Sequence, residues 1–110
     1  MNITHKNLKE RWGSFSFFEQ MANVGSEVER ALGWREKGNE PYCILAFERA
    51  LELLDFTTDL IKEYPKLKEL KRLREVLVDY FVCDNIYGST PLSWHNYFYV
   101  FNYAARVSVK

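Results

Sequence analysis

Apolar residues recur at every third or fourth position through most of the chain. Phe17, Met21, Val24, Val28 and Ala31 or Leu32 form the first such stripe, which is the period of a helix burying one face. The stripe starts near Ser14 or Ser16. Ser16 followed by Glu19 has the spacing of a capping box, in which hydroxyl and carboxylate each satisfy an orphan backbone N–H. Gly33 weakens the end of this helix and Gly38 closes it, with Arg35 and Lys37 near the negative end of its dipole. "NEP" then restarts the chain, because Pro41 in a first helical position loses no hydrogen bond. Cys43, Phe47, Ala50, Leu54, Thr57 and Ile61, widened by Leu51 and Thr58, predict a long second helix. Its solvated side carries Glu48, Arg49, Glu52, Asp55, Asp59 and Lys62. Tyr64-Pro65 marks its end, since a residue before proline avoids the helical region. Leu70, Leu73, Leu77 and Phe81 share one face of a third helix. "NIYGST" supplies turn chemistry, and Thr90-Pro91 opens a fourth helix running to about Arg106.

No pair of alternating strands joined by a turn occurs in the sequence. The expected fold is all-α, a compact antiparallel four-helix bundle with short connections. It forms one domain over residues 1–110, with a polar N-terminal segment at 1–13 and a frayed tail at 107–110.

At about 100° per residue, the fourth helix places Trp94, Tyr97, Phe98, Phe101, Ala104 and Ala105 on one core-facing side. His95, Asn96, Tyr99, Asn102, Tyr103 and Arg106 fall on the other. Tyr99 and Tyr103 are neighbours there, with Val100 beside them. Two rings with polar tips, framed by Asn, His and Arg, have the composition of an interface.

Composition narrows the possible functions. Aromatic residues make up 16% of the chain, so large rings must fill a core or an interface. Fifteen Lys and Arg balance fifteen Asp and Glu, which removes the global basic field of a nucleic-acid binder. Lys62, Lys66, Lys68, Lys71, Arg72 and Arg74 form a locally basic segment, but Glu63, Glu69 and Glu75 interrupt it, and helix-stabilising charge pairs account for most of it. Cys43 and Cys83 fit neither a CxxC nor a zinc spacing and, each within an apolar stretch, read as small buried hydrophobes in a reducing compartment. The polar start lacks the apolar run of a signal peptide, and no segment approaches the length needed to span a bilayer, so a cytoplasmic protein is expected. His5 and His95 stand at opposite ends of the chain. With no HExxH and no ExxH, no metal site is expected. Neither a nucleophile elbow nor a phosphate-cradling glycine loop is present, and no cofactor is expected.

Two segments carry resemblances to known families. "KGNEPYCILAFERALEL" resembles the junction and second helix of a tetratricopeptide repeat, with Gly38 at the turn, Cys43 and Ala50 at the small positions and Phe47 at the ring, and with Ala31 and Trp34 on the preceding helix. No proline follows Ala50 at the repeat's end and no second copy is visible, whereas a solenoid needs about three. The likeness therefore implies a tight helical hairpin and no more. "LREVLVDYF" resembles the signature segment of HEPN-type helical bundles, a group that includes RNase toxins and non-catalytic partners of small nucleotidyltransferases. Arg74 matches the motif arginine and Tyr80 stands near its tyrosine. Glu75 replaces the motif asparagine and Asp79 its histidine. An aspartate cannot replace imidazole as a neutral-pH proton carrier without a large rise in pKa. The whole pattern also resembles uncharacterised small prokaryotic helical proteins.

Arg74, Asp79, Asp84, Asn85 and Tyr87 are the candidate anion or ligand site, although one continuous helix sets Arg74 and Asp79 about 140° apart. His95, Asn96, Tyr99, Asn102, Tyr103 and Arg106 are the candidate interface. The reading that unites these features is a non-enzymatic helical domain acting through self-association, as a homodimer, or through a protein partner. The alternative is an HEPN-like ribonuclease or a nucleotide-binding component of a nucleotidyltransferase or toxin–antitoxin pair.

Overall fold

A computed structural model describes residues 10–108 of the chain. Four helices make the bundle: α1 (Phe17–Glu36), α2 (Glu40–Asp59), α3 (Tyr64–Val82) and α4 (Pro91–Ser108). A helical turn at residues 10–12 precedes α1, and no strand occurs among the described residues. Helix α1 packs against α2 and α4, and α2 packs against α3. The seam between α3 and α4 is thinner, bridged by the Tyr80–Trp94 ring contact and by the Tyr97 hydroxyl donating to Glu69. No helix among the described residues is long and apolar enough to cross a membrane. His5 and residues 109–110 of the expected tail lie outside the described residues, while residues 107–108 continue α4.

Polar caps set most helix starts. Ser16 Oγ accepts from the Glu19 N–H at 3.1 Å while Ser16 N–H donates to Glu19 Oε1 at 2.8 Å, the reciprocal pair expected from the spacing. Asn39 Oδ1 accepts from the Tyr42 N–H at 3.0 Å, with Pro41 in the first turn of α2. Thr90 Oγ1 accepts from the Ser93 N–H at 3.0 Å, and Ser93 Oγ returns the bond by accepting from the Thr90 N–H at 2.9 Å.

The boundary between α2 and α3 differs from expectation. Helix α2 stops at Asp59, and Tyr64-Pro65 opens α3 instead of closing α2. The N–H groups of Leu60 and Ile61 turn back to the carbonyls of Thr57 and Thr58, tightening the last turn. The hydroxyls of Thr57 and Thr58 bond to the carbonyls of Leu53 and Leu54, a competition with the backbone that weakens a helix locally. Pro65 then costs nothing in the first turn of the next helix.

The core follows the predicted stripes of α1 and α3 closely. Met21, Val24, Val28, Ala31 and Leu32 are buried on α1, and Leu70, Leu73, Leu77 and Phe81 on α3. Helix α2 buries a wider arc than its stripe implied, adding Ala46, Leu53 and Phe56, because it is covered by both α1 and α3. At Gly25, a Cβ would lie 2.8 Å from Cβ, Cγ and Cδ1 of Phe98. This glycine therefore sets how closely α1 and α4 approach.

Two residues do more than their positions in the sequence suggested. Trp12, within the segment expected to be merely polar, is 3% exposed. Its indole N–H donates to Thr57 Oγ1 at 2.8 Å, and Gln20 Nε2 donates to its carbonyl at 2.9 Å. The ring plugs the end of the bundle where α1 begins and α2 ends. Arg35, expected to serve the end of its own helix, reaches the end of α3. It donates to the Phe81 carbonyl at 2.8 Å, lies over the Phe81 ring at 5.1 Å, and forms a two-pronged pair with Glu40 at 2.8 and 3.3 Å. The hydrogen bond to Glu40 raises the Arg35 pKa, and the same bond lowers that of Glu40. One guanidinium thus joins the α1–α2 turn to the orphan carbonyls at the end of α3.

Candidate functional site

The last turns of α3 and the connection to α4 line an open surface cavity of about 450 Å³. Four of the five candidate ligand residues line it: Arg74, Asp79, Asp84 and Tyr87. Arg74 and Asp79 line it from α3, and Asp84 and Tyr87 line it from the connection.

The polar groups at this cavity differ in how far they are committed. Asp79 is 7% exposed, and its carboxylate accepts from the N–H groups of Ile86 at 2.9 Å and Tyr87 at 3.1 Å. Its backbone carbonyl accepts from Cys83 and Asn85. Asp79 is therefore the anchor of the connection. Asn85 shapes the wall: at φ 55° it occupies the left-handed region, which asparagine tolerates. Its side chain clasps Ser89, accepting from the N–H at 2.8 Å and donating to the carbonyl at 3.0 Å. Arg74 makes a two-pronged pair with Asp55 of α2 at 2.9 and 3.3 Å, and that hydrogen bond raises its pKa. The guanidinium of Arg72, a residue outside the candidate set, lies 4.9 Å from the Tyr87 ring centre. Asp84 and Glu75 are exposed at the rim, and neither has a hydrogen-bond or ion-pair partner among the described residues. Glu75, Val78, Cys83 and Ile86 complete the lining, with Cys83 exposed where burial was expected because it stands just past the end of α3. Glu75 stood out in the sequence as a departure from a motif and as an interruption of the basic segment; Ile86 sits in a segment that reads as turn chemistry.

The second candidate surface is the outer face of α4. His95, Asn96, Tyr99, Asn102, Tyr103 and Arg106 are all exposed. His95 is tied to its own bundle, since its Nδ1 pairs with Glu29 of α1. Leu92, Val100 and Val107 extend the face and are 65%, 62% and 49% exposed. Leu92, Asn96, Tyr99, Val100, Tyr103 and Val107 share an arc of about 100°. The 92–96–99–103–107 spacing carried that arc in the sequence, although Leu92 and Val107 were not assigned to it. On the opposite side of α4, Trp94 and Phe98 are buried, and Tyr97 and Phe101 are half-buried. Burial, with help from Glu69, drives the Tyr97 pKa upward. No group of three or more His, Cys, Asp or Glu side chains able to hold a metal ion occurs among the described residues. No family model, curated protein or solved structure matches the chain.

Proposed function

We propose that this protein is a non-enzymatic helical association domain that pairs with a second copy of itself through the outer face of α4. The observation that carries this reading is the continuous arc of Leu92, Tyr99, Val100, Tyr103 and Val107, each at least 49% exposed, on a helix whose other side is already packed. Water solvates such a stripe poorly, and a partner helix would remove it from water.

Self-pairing fits the order of residues along the arc. In an antiparallel two-fold contact centred between Tyr99 and Val100, Leu92 meets the second copy's Val107, Asn96 meets its Tyr103, and Tyr99 meets its Val100. Apolar groups face apolar groups, and the amide faces a phenol in the same register. A two-fold contact repeats each pairing, so one patch supplies both halves of the interface. His95, Asn102 and Arg106 would form the polar rim. The balance of fifteen basic and fifteen acidic residues leaves no long-range repulsion between copies.

Analytical ultracentrifugation of wild type against the Tyr99→Lys/Tyr103→Lys variant tests the proposal. A wild-type dimer at tens of micromolar and a monomeric, still helical variant are expected, because two buried lysines cost far more than the rings contribute. A wild-type monomer, or a variant that still dimerises, refutes it. The HEPN-like ribonuclease alternative draws on Arg74 and Asp79 lining one cavity, where both side chains are engaged by Asp55 and by the connection. RNA cleavage at neutral pH that disappears in both Arg74→Ala and Asp79→Ala would decide in its favour.

A further inference from the structure

We infer that the cavity at the end of α3 is a binding site for a small amphipathic amine, a ligand with an apolar body and a protonated nitrogen. The cavity itself carries the inference, and its charges set the class of ligand. Its volume of about 450 Å³ lies within the range of small-molecule sites. Val78, Cys83, Ile86 and Tyr87 give it apolar and aromatic walls. These walls are fixed before any ligand arrives: Asp79 holds the N–H groups of Ile86 and Tyr87, and Asn85 clasps Ser89. A preformed wall spares a ligand the cost of ordering it.

The sign of the ligand's charge follows from which groups are already engaged. Arg74 suggested an anion from sequence, but its guanidinium is paired on both prongs with Asp55. Arg72, whose guanidinium lies 4.9 Å from the Tyr87 ring centre, is outside the lining. The Asp79 carboxylate has both oxygens on backbone donors. The charged lining groups without a partner among the described residues are Glu75 and Asp84. Their charge favours an ammonium group and disfavours a carboxylate or phosphate. The inference is independent of pairing through α4, which places its contacts on another helix.

Tryptamine and its acidic counterpart indolepropionate serve as probes, since they share the indole and differ in charge. Titration of the ¹⁵N-labelled protein, followed by amide shifts, reads both location and affinity. Tryptamine is expected to shift Val78, Cys83, Asp84, Ile86 and Tyr87, with an affinity at least about fivefold tighter than that of indolepropionate. Asp84→Asn and Glu75→Gln, both at exposed positions, should each weaken tryptamine by about two- to fivefold, the scale of a solvent-exposed ion pair. Equal or tighter binding of indolepropionate overturns the inference. So does the absence of shifts at these amides up to about 5 mM tryptamine, or an affinity unchanged by both substitutions.

Discussion

Gly25→Ala adds one methyl group on the face of α1 that packs against Phe98 of α4. The new Cβ would lie 2.8 Å from three carbons of Phe98, where carbon atoms ordinarily stand about 3.5–4.0 Å apart. One of the three is the Phe98 Cβ, which no rotamer change can move away from its backbone. The helices must therefore separate by about 0.7–1.2 Å, and a gap of about 0.5–1 Å already forfeits a quarter to a half of the dispersion energy of each contact across it. Overpacking of this kind costs about 3 kcal/mol at the upper end of its range. Replacing glycine by alanine inside a helix returns about 1 kcal/mol. The net expectation is a loss of roughly 2 kcal/mol, or about 8 °C in Tm for a domain of this size. Gly33→Ala is the internal control. It lies on the same helix, and nothing approaches its prospective Cβ within 4 Å. It should stabilise by about 0.5–1 kcal/mol through propensity alone. Urea unfolding followed by far-ultraviolet circular dichroism, at one fixed protein concentration because association would shift the midpoint, measures both. If Gly25→Ala matches or exceeds wild type in stability, the α1–α4 approach is not as close as argued.

The two buried tryptophans should respond differently to phenylalanine. Trp12 donates to Thr57, whereas the Trp94 indole N–H is buried without a hydrogen-bond partner among the described residues, so Trp12→Phe should cost about 1–2 kcal/mol more than Trp94→Phe in the same unfolding assay. Phe47→Ala, which removes a buried ring lying 5.1 Å from that of Phe81, should cost roughly 3–5 kcal/mol; a loss below about 1 kcal/mol would place Phe47 outside the core. Tyr97 has its pKa raised on folding, chiefly by burial, so the stability it confers is complete below the ordinary tyrosine value near pH 10 and is lost as pH rises above it. Thermal melts from pH 8 to 12 should show a shallower alkaline decline for Tyr97→Phe than for wild type, and identical slopes would contradict this.

The helices were legible because their signals are local. Ser16 with Glu19, Asn39 with Pro41, and Thr90 with Pro91 act within a single turn, and the heptad-like leucines of α3 need only one neighbour to bury them. The α2–α3 boundary was misread because Pro65 serves equally as a stop and as a start, and what ends α2 is the bonding of Thr57 and Thr58 to carbonyls behind them. Trp12 was overlooked because it stands alone among Lys9, Glu10, Arg11 and Gly13, so no periodicity reveals it. Its partner Thr57 is forty-five positions away. The cavity residues were named from composition, and four of them do come together. Their engagement was invisible in the sequence: the pairing of Arg74 with Asp55 depends on how α3 lies against α2, and the use of Asp79 as an anchor depends on the path of the connection.

That anchor bears on how two copies could combine. Helix α4 fits against α1 of its own chain because residues 83–90 reverse direction tightly, and Asp79 holds that reversal through four backbone N–H groups, two on its carboxylate and two on its carbonyl. If the connection were released, α4 would extend away and could settle on the same groove of a neighbouring chain, making identical contacts by domain exchange. Short connections under constraint are where such swapping is decided. Asp79→Ala removes the carboxylate half of the grip and leaves both packing surfaces intact. Without that carboxylate, only the two N–H groups on the Asp79 carbonyl would hold the reversal.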